Sequence, residues 1–187
     1  MRQPIIGSLF LVLASAGSVS AQPAATKLGE TPGADKLPKA EFVFEEHVTL
    51  SPAVVQGQTA LGGRQYIPIT GGTIAGPKLK GKVVPGGWDY QLQMPGGCST
   101  LSADYFIQAD DGTRIHVLNE AFNCNSSDNN GARSYARPRF EAPEGAYGWL
   151  TRGVFVATIE VENAGAPGAD GKPAPLAAIR IKFYQIK

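Results

Sequence analysis

Residues 98–124 read CSTLSADYFIQADDGTRIHVLNEAFNC. Two runs that alternate apolar and polar residues flank Asp110-Asp111-Gly112, a three-residue hairpin loop with glycine in the left-handed position. That loop pairs Ala109 with Thr113 and fixes the register of both arms, so Ile107 faces Ile115, Tyr105 faces Val117 and Leu101 faces Ala121. Continuing the count places Cys98 opposite Cys124 and predicts a cross-strand disulfide. In the chain-entropy description such a bridge is worth roughly 3 to 4 kcal/mol. The same parity puts Tyr105 on the apolar face, and puts His116 opposite Phe106 on the face that carries Gln108, Arg114 and Glu120.

Outward from this hairpin the period stays at two. Phe42, Phe44, Val48 and Leu50 fall on one face, with Glu41, Glu45, His47 and Thr49 on the other. Trp88, Tyr90, Leu92 and Met94 alternate with Asp89, Gln91 and Gln93, and the habit returns over residues 154–162 and 177–186. Turn signals separate the runs: Gly62-Gly63, Gly71-Gly72, Pro85-Gly86-Gly87, Pro95-Gly96-Gly97 and Asn130-Gly131. With 23 Gly and 14 Pro in 187 residues, the chain favours turns over long helices. One short helical turn is expected near residues 144–150, and residues 163–175 read as a mobile hairpin loop. Eight to ten strands give a closed barrel or a sandwich. The barrel is preferred because closure removes exposed sheet edges and the Cys-Trp-Cys spacing of immunoglobulin sandwiches is missing.

The charge balance, 17 Lys+Arg against 16 Asp+Glu, lacks the basic excess of a nucleic-acid binder. At the start, Arg2, the apolar run from Ile5 to Ala16 and the small residues Val19-Ser20-Ala21 form a signal peptide over 1–21, with Gln22 as the first mature residue. The run is short for a bilayer span, so no stable membrane segment is expected after cleavage. Residues 22–40 hold three prolines and no aromatic residue, and read as a flexible leader to a β-barrel domain at 41–187. The protein is expected to be exported, periplasmic or secreted, where a disulfide persists.

Several sharper motifs fail. Gly76-Pro77-Lys78-Leu79-Lys80-Gly81-Lys82 has phosphate-loop spacing, but Val83 replaces the Ser or Thr and no helix follows. The chain has two histidines, His47 and His116, and no HExxH or CxxC, so no metal site is expected. Glu45, Glu46 and His47 read as a solvated strand, and Asp89 as the cap of the Gly86-Gly87 turn. Asn125-Ser126-Ser127 is a glycosylation sequon, and residues 128–131 are a plain turn rather than a calcium loop.

One resemblance gathers the remaining motifs. Residues 67–73 (IPITGGT), Gly76-Pro77 with Leu79 and Gly81, and residues 85–90 (PGGWDY) resemble the signature of the domain-of-unknown-function 3237 family of bacteria and fungi. Residues 101–105, 110–112, 137–140 and 147–150 follow in the same order. The resemblance implies an all-β fold, a single antiparallel barrel of about eight to ten strands, calycin-like or allene-oxide-cyclase-like, with no cofactor requirement. Two positions depart from the family pattern. Trp88 and Tyr90 flank Asp89 where the family has a small residue and Trp, and Asp104 precedes Tyr105 where it has Arg. If that Arg serves a ligand anion, the activity is altered or lost in this chain.

Two function classes fit. The first is a ligand-binding or catalytic barrel for a small aromatic or carbonyl-containing molecule, working by isomerisation, cyclisation or elimination without a redox cofactor. Its site would draw on Tyr105, Arg137, Tyr147 and Trp149, with His116 or Asp104 moving a proton. Tyr147 and Trp149 would stack a planar ligand and Arg137 would hold an anionic group. The second is a non-enzymatic exported carrier, envelope component or interaction module with a packed interior. A cavity inside the barrel separates the two.

Overall fold

The computed structural model describes residues 29–124, 134–163 and 176–187. The signal-peptide residues, the sequon, the 128–131 turn and most of the expected 163–175 loop lie outside the described residues. Two compact units are present, 1–37 and 38–187. In the first, the described part holds a single 3-10 turn at Ala34–Lys36.

The second unit contains the strands β1 (Ala40–Leu50), β2 (Val54–Thr59), β3 (Gly62–Ala75), β4 (Gly81–Val83), β5 (Trp88–Gln93), β6 (Cys98–Ala109) and β7 (Arg114–Cys124). Then come β8 (Ser134–Glu141), the helix α1 (Gly148–Arg152), β9 (Phe155–Asn163) and β10 (Leu176–Ile186). The helical turn expected near 144–150 is α1. Among the described residues no helix is long and apolar enough to cross a membrane. All pairings are antiparallel, in the order β1-β10-β9-β8-β7-β6-β4-β3-β2, with β5 sharing the place between β3 and β6. Pairing of β1 with β3 closes the sheet into a barrel, leaving no edge along the ring.

The β6–β7 hairpin has the register expected from its loop, from Gln108↔Arg114 down to Cys98↔Cys124. Gly112 sits at φ +90°, and Asp111 Oδ1 accepts from the Thr113 N–H at 2.9 Å. Ala109 N–H donates to the Thr113 carbonyl at 2.9 Å, which makes alternate positions from Ala109 the hydrogen-bonded pairs. Cys98 therefore falls at a closer, non-hydrogen-bonded site. The disulfide is formed, with Cα atoms 4.0 Å apart.

Three sequence expectations are corrected. Gly71-Gly72 is no turn: both lie mid-strand in β3, which crosses there from its pairing with β5 to its pairing with β1 and β4. Gly72 has φ +149°, and a Cβ on it would stand 2.1 Å from the His47 carbonyl oxygen, so closure at this seam needs a bare backbone. On β1, an irregularity between Phe42 and Phe44 turns Phe42 outward against Tyr184 and buries Val43 beside Phe44. On β5 the face is reversed. Trp88 and Tyr90 point outward, while Asp89 and Gln91 face the interior, because Asp89 pairs with Ala103 on the inward face of β6.

The core occupies one end of the barrel. Phe44, Phe140, Phe155 and Phe183 form a cluster of stacked and edge-on rings, which Leu150 of α1 covers. Pro138 does not lie at a sheet edge. It sits inside the β7–β8 ladder, but the β8–β9 ladder has already ended at Ala136, so its missing N–H disrupts no pairing.

Candidate functional site

The strand halves away from the aromatic cluster enclose a cavity of about 190 Å³. Its walls are largely aliphatic, with Val48, Ile69, Leu101, Ile159 and Ile181 among them. Onto this surface β5, β6 and β7 project Asp89, Gln91, Tyr105 and Asn119. Among the described residues no Lys, Arg or His lines the cavity.

Tyr105 carries the most unusual contact. Its ring is 2% exposed, and its hydroxyl lies 2.7 Å from Oε2 of Glu46, a fully buried carboxyl on β1. Gly87 holds the tyrosine in place: a Cβ there would approach Tyr105 Cβ to 2.4 Å. Glu46 does not line the cavity; Tyr105 does, and connects the two. Burial pushes the Glu46 carboxyl up to about 8, outweighing the lowering effect of the Tyr105 hydrogen bond. Burial and the nearby Glu46 charge likewise push the Tyr105 phenol well above its usual range. The hydrogen bond has two senses. Tyr105 donates to an ionised Glu46, whereas a protonated Glu46 donates to the phenol oxygen and frees the Tyr105 O–H for the cavity.

A second carboxyl stands in the same wall. Gln65 Nε2 donates to Gln91 Oε1 at 2.8 Å, and Gln91 Nε2 donates to Asp89 Oδ2 at 2.6 Å. This chain of amides fixes the Asp89 carboxyl and leaves its Oδ1 buried without a partner. Burial raises the Asp89 carboxyl above its ordinary value, opposed by the Gln91 and Ser102 hydrogen bonds. Asp89 is therefore no turn cap, as the sequence suggested, but a cavity residue. Two carboxyls of unlike surroundings beside one phenol are a suitable set for cofactor-free acid–base chemistry.

The structure separates the residues expected to act together. Tyr105 reaches the cavity. Asp104 and His116 lie on the outer face, with His116 Nε2 2.7 Å from Asp104 Oδ1 and Asp104 56% exposed. Arg137 is exposed on β8 across from Glu120, outside the cavity. Tyr147 and Trp149 pack at the aromatic end, Trp149 against Phe155 with Lys78 Nζ 5.6 Å over its ring, and Tyr147 bonded to Asp111. Among the described residues no cluster of His, Cys, Asp or Glu has the makings of a metal site.

Sequence reading missed Glu46, Asp89 and Asn119. Glu46 was read with Glu45 and His47 as solvated, yet it shares parity with Phe44, Val48 and Leu50. A carboxyl among apolar positions of one strand face was the available signal. Asn119 carries the same signal between Val117 and Ala121.

Fold and site define a closed antiparallel β-barrel with a carboxyl–phenol pair set against an apolar interior cavity. The chain belongs to the DUF3237 family, described as a protein of unknown function, whose model matches residues 38–186. It is 33% identical to a UPF0311 protein of Clostridium acetobutylicum, over 62% of this chain and 82% of that one. It is also 33% identical to the hydroalkoxylation enzyme phnH of Penicillium herquei, over 68% of this chain and 76% of the relative. A solved β-barrel like protein of Acinetobacter baumannii superposes with a TM-score of 0.66 at 24% identity, covering 86% of this chain and all of that one.

Proposed function

We propose that the protein is an exported, cofactor-free acid–base catalyst of the cyclase, isomerase or lyase type, acting inside the barrel on a small aromatic or carbonyl-containing molecule. The observation that carries this reading is the buried Glu46–Tyr105 pair beside a cavity that also holds Asp89. A cavity of this size resembles those that take a single ring, about 150 Å³ for benzene. A packed interior would have favoured the carrier reading. The likeness to a hydroalkoxylation enzyme supports addition of a hydroxyl across a carbon–carbon double bond.

In that reaction Asp89 Oδ1 accepts the proton of the attacking hydroxyl while the oxygen–carbon bond forms and the π bond breaks. In a conjugated ketone the electrons move to the carbonyl oxygen, which takes a proton from Tyr105. Glu46 resupplies a proton to the phenol, and exchange with solvent then takes the proton from Asp89 and returns one to Glu46, which restores both carboxyls. The enol then tautomerises to the ketone, so the product is an isomer of the substrate. Export is supported by the N-terminal apolar run and by the Cys98–Cys124 bridge.

The test is cyclisation of 1-(2-hydroxyphenyl)prop-2-en-1-one to 4-chromanone, followed by chromatography at constant mass. Wild type is expected to exceed the buffer rate, and Tyr105→Phe and Asp89→Asn each to lose about 10²-fold or more of that excess. A wild-type rate equal to buffer, or a folded Tyr105→Phe variant at full rate, rejects the reading.

A further inference from the structure

Asp89 Oδ1 is not the only unpaired acceptor on a residue that lines the cavity. Asn119, 4% exposed on β7, has its Oδ1 buried with no hydrogen-bond partner, and it lines the same cavity. Buried polar atoms are almost always bonded, since an orphan gives up its hydration with nothing in return. Two residues that line one apolar space thus each carry an acceptor without a partner among the described residues, and a ligand with two donors is the chemistry that would satisfy both. Among the described residues the lining also has no Lys, Arg or His, while it holds Asp89. An anionic ligand would lose its hydration there, meet no countercharge and face a carboxyl of its own sign.

We propose that Asn119 is a specificity-determining residue, which reads a second hydroxyl on a neutral, ring-sized ligand while Asp89 holds the hydroxyl that reacts. This deepens the reading of the cavity as the reaction site and rests on it. Asn119 touches no proton in transit. It selects by leaving its own carbonyl unpaired when the ligand lacks the second donor, the strongest kind of discrimination a polar pocket offers. The cavity thus prefers diols of a single ring over mono-ethers of the same ring, and excludes carboxylates.

The experiment measures binding by calorimetry to the chain from Gln22 to Lys187, without the expected signal peptide. The probes are resorcinol, 3-methoxyphenol, 1,3-dimethoxybenzene and 3-hydroxybenzoate. None of them carries an alkene, so binding is read apart from turnover. Each methylation is expected to weaken binding about tenfold, and 3-hydroxybenzoate to bind no better than the dimethyl ether. In Asn119→Leu, of similar volume, resorcinol is expected to fall to the affinity of 3-methoxyphenol, with 3-methoxyphenol itself unchanged. Equal affinity of the three neutral probes for wild type overturns the proposal even if the variant fails to fold. Tight binding of 3-hydroxybenzoate, no saturable binding of any probe, or a folded Asn119→Leu that keeps the wild-type preference also overturns it. The expected binding series without chromanone formation leaves the selectivity standing and removes the catalytic reading.

Discussion

Glu46 is a carboxyl with no exposure, one hydrogen bond to Tyr105 and one oxygen without a partner. Its proton is therefore held more tightly in the folded chain than in the unfolded one. A carboxyl at about 8 when folded and at its ordinary 4.5 when unfolded contributes stability that is complete below 4.5 and is lost as pH rises through about 8. Asp89, also raised by burial, acts in the same sense. The full loss for Glu46 is bounded at about 5 kcal/mol. Urea unfolding across this interval is expected to show wild type losing stability with rising pH. Glu46→Gln, which cannot ionise, should lose distinctly less and be the more stable protein above about pH 8. Parallel profiles for the two would mean that Glu46 ionises freely in the folded chain.

At the scale of the element, the β1–β3 seam turns a sheet into a barrel. Val48 pairs with Gly72 there, and His47 with Thr73. Gly72→Ala places a Cβ against the His47 carbonyl at a φ that side chains rarely adopt, so seam and backbone are strained together. Gly86, in the turn between β4 and β5, provides the control, since it has φ +112° and a Cβ there would meet nothing within 4 Å. Gly86→Ala is expected to cost about 1 kcal/mol, from backbone strain alone, and Gly72→Ala about 3–4 kcal/mol. Equal costs in denaturant titrations would mean that the seam yields easily and does not govern closure.

Across the whole molecule, the disulfide is what the proposed export would preserve. The bridge closes the hairpin at the cavity end of the barrel, beside the lining residues Leu101 and Asn123. Protein recovered after export is expected to begin at Gln22 and to resist thiol labelling. The chain from Gln22 to Lys187 made in a reducing cytosol should carry two free thiols and be about 3–4 kcal/mol less stable. N-terminal sequencing with thiol counting on both preparations checks this. An exported protein that retains Met1, or a reduced chain of unchanged stability, contradicts it.

The local features were legible in the residues. A glycine at the third position of a two-acid loop fixes a hairpin, and a fixed hairpin fixes every pair along it, including the cysteines. Alternation gave the strands and the family motifs gave the barrel. Side-chain direction was legible only where strand parity ran unbroken from such an anchor. The irregularity near Phe42 and the crossing of β3 at Gly72 reset that parity between strands. Trp88 and Tyr90 then looked interior, although register with β6 sends Asp89 and Gln91 inward. The grouping of Glu46, Asp89, Tyr105 and Asn119 joins four strands that no local pattern connects. Only the closed barrel brings Asp89, Tyr105 and Asn119 to one cavity with Glu46 behind Tyr105, and only burial gives Glu46 and Asp89 their raised affinity for protons. Desolvation depends on every surrounding strand at once, so the tertiary structure alone decides it.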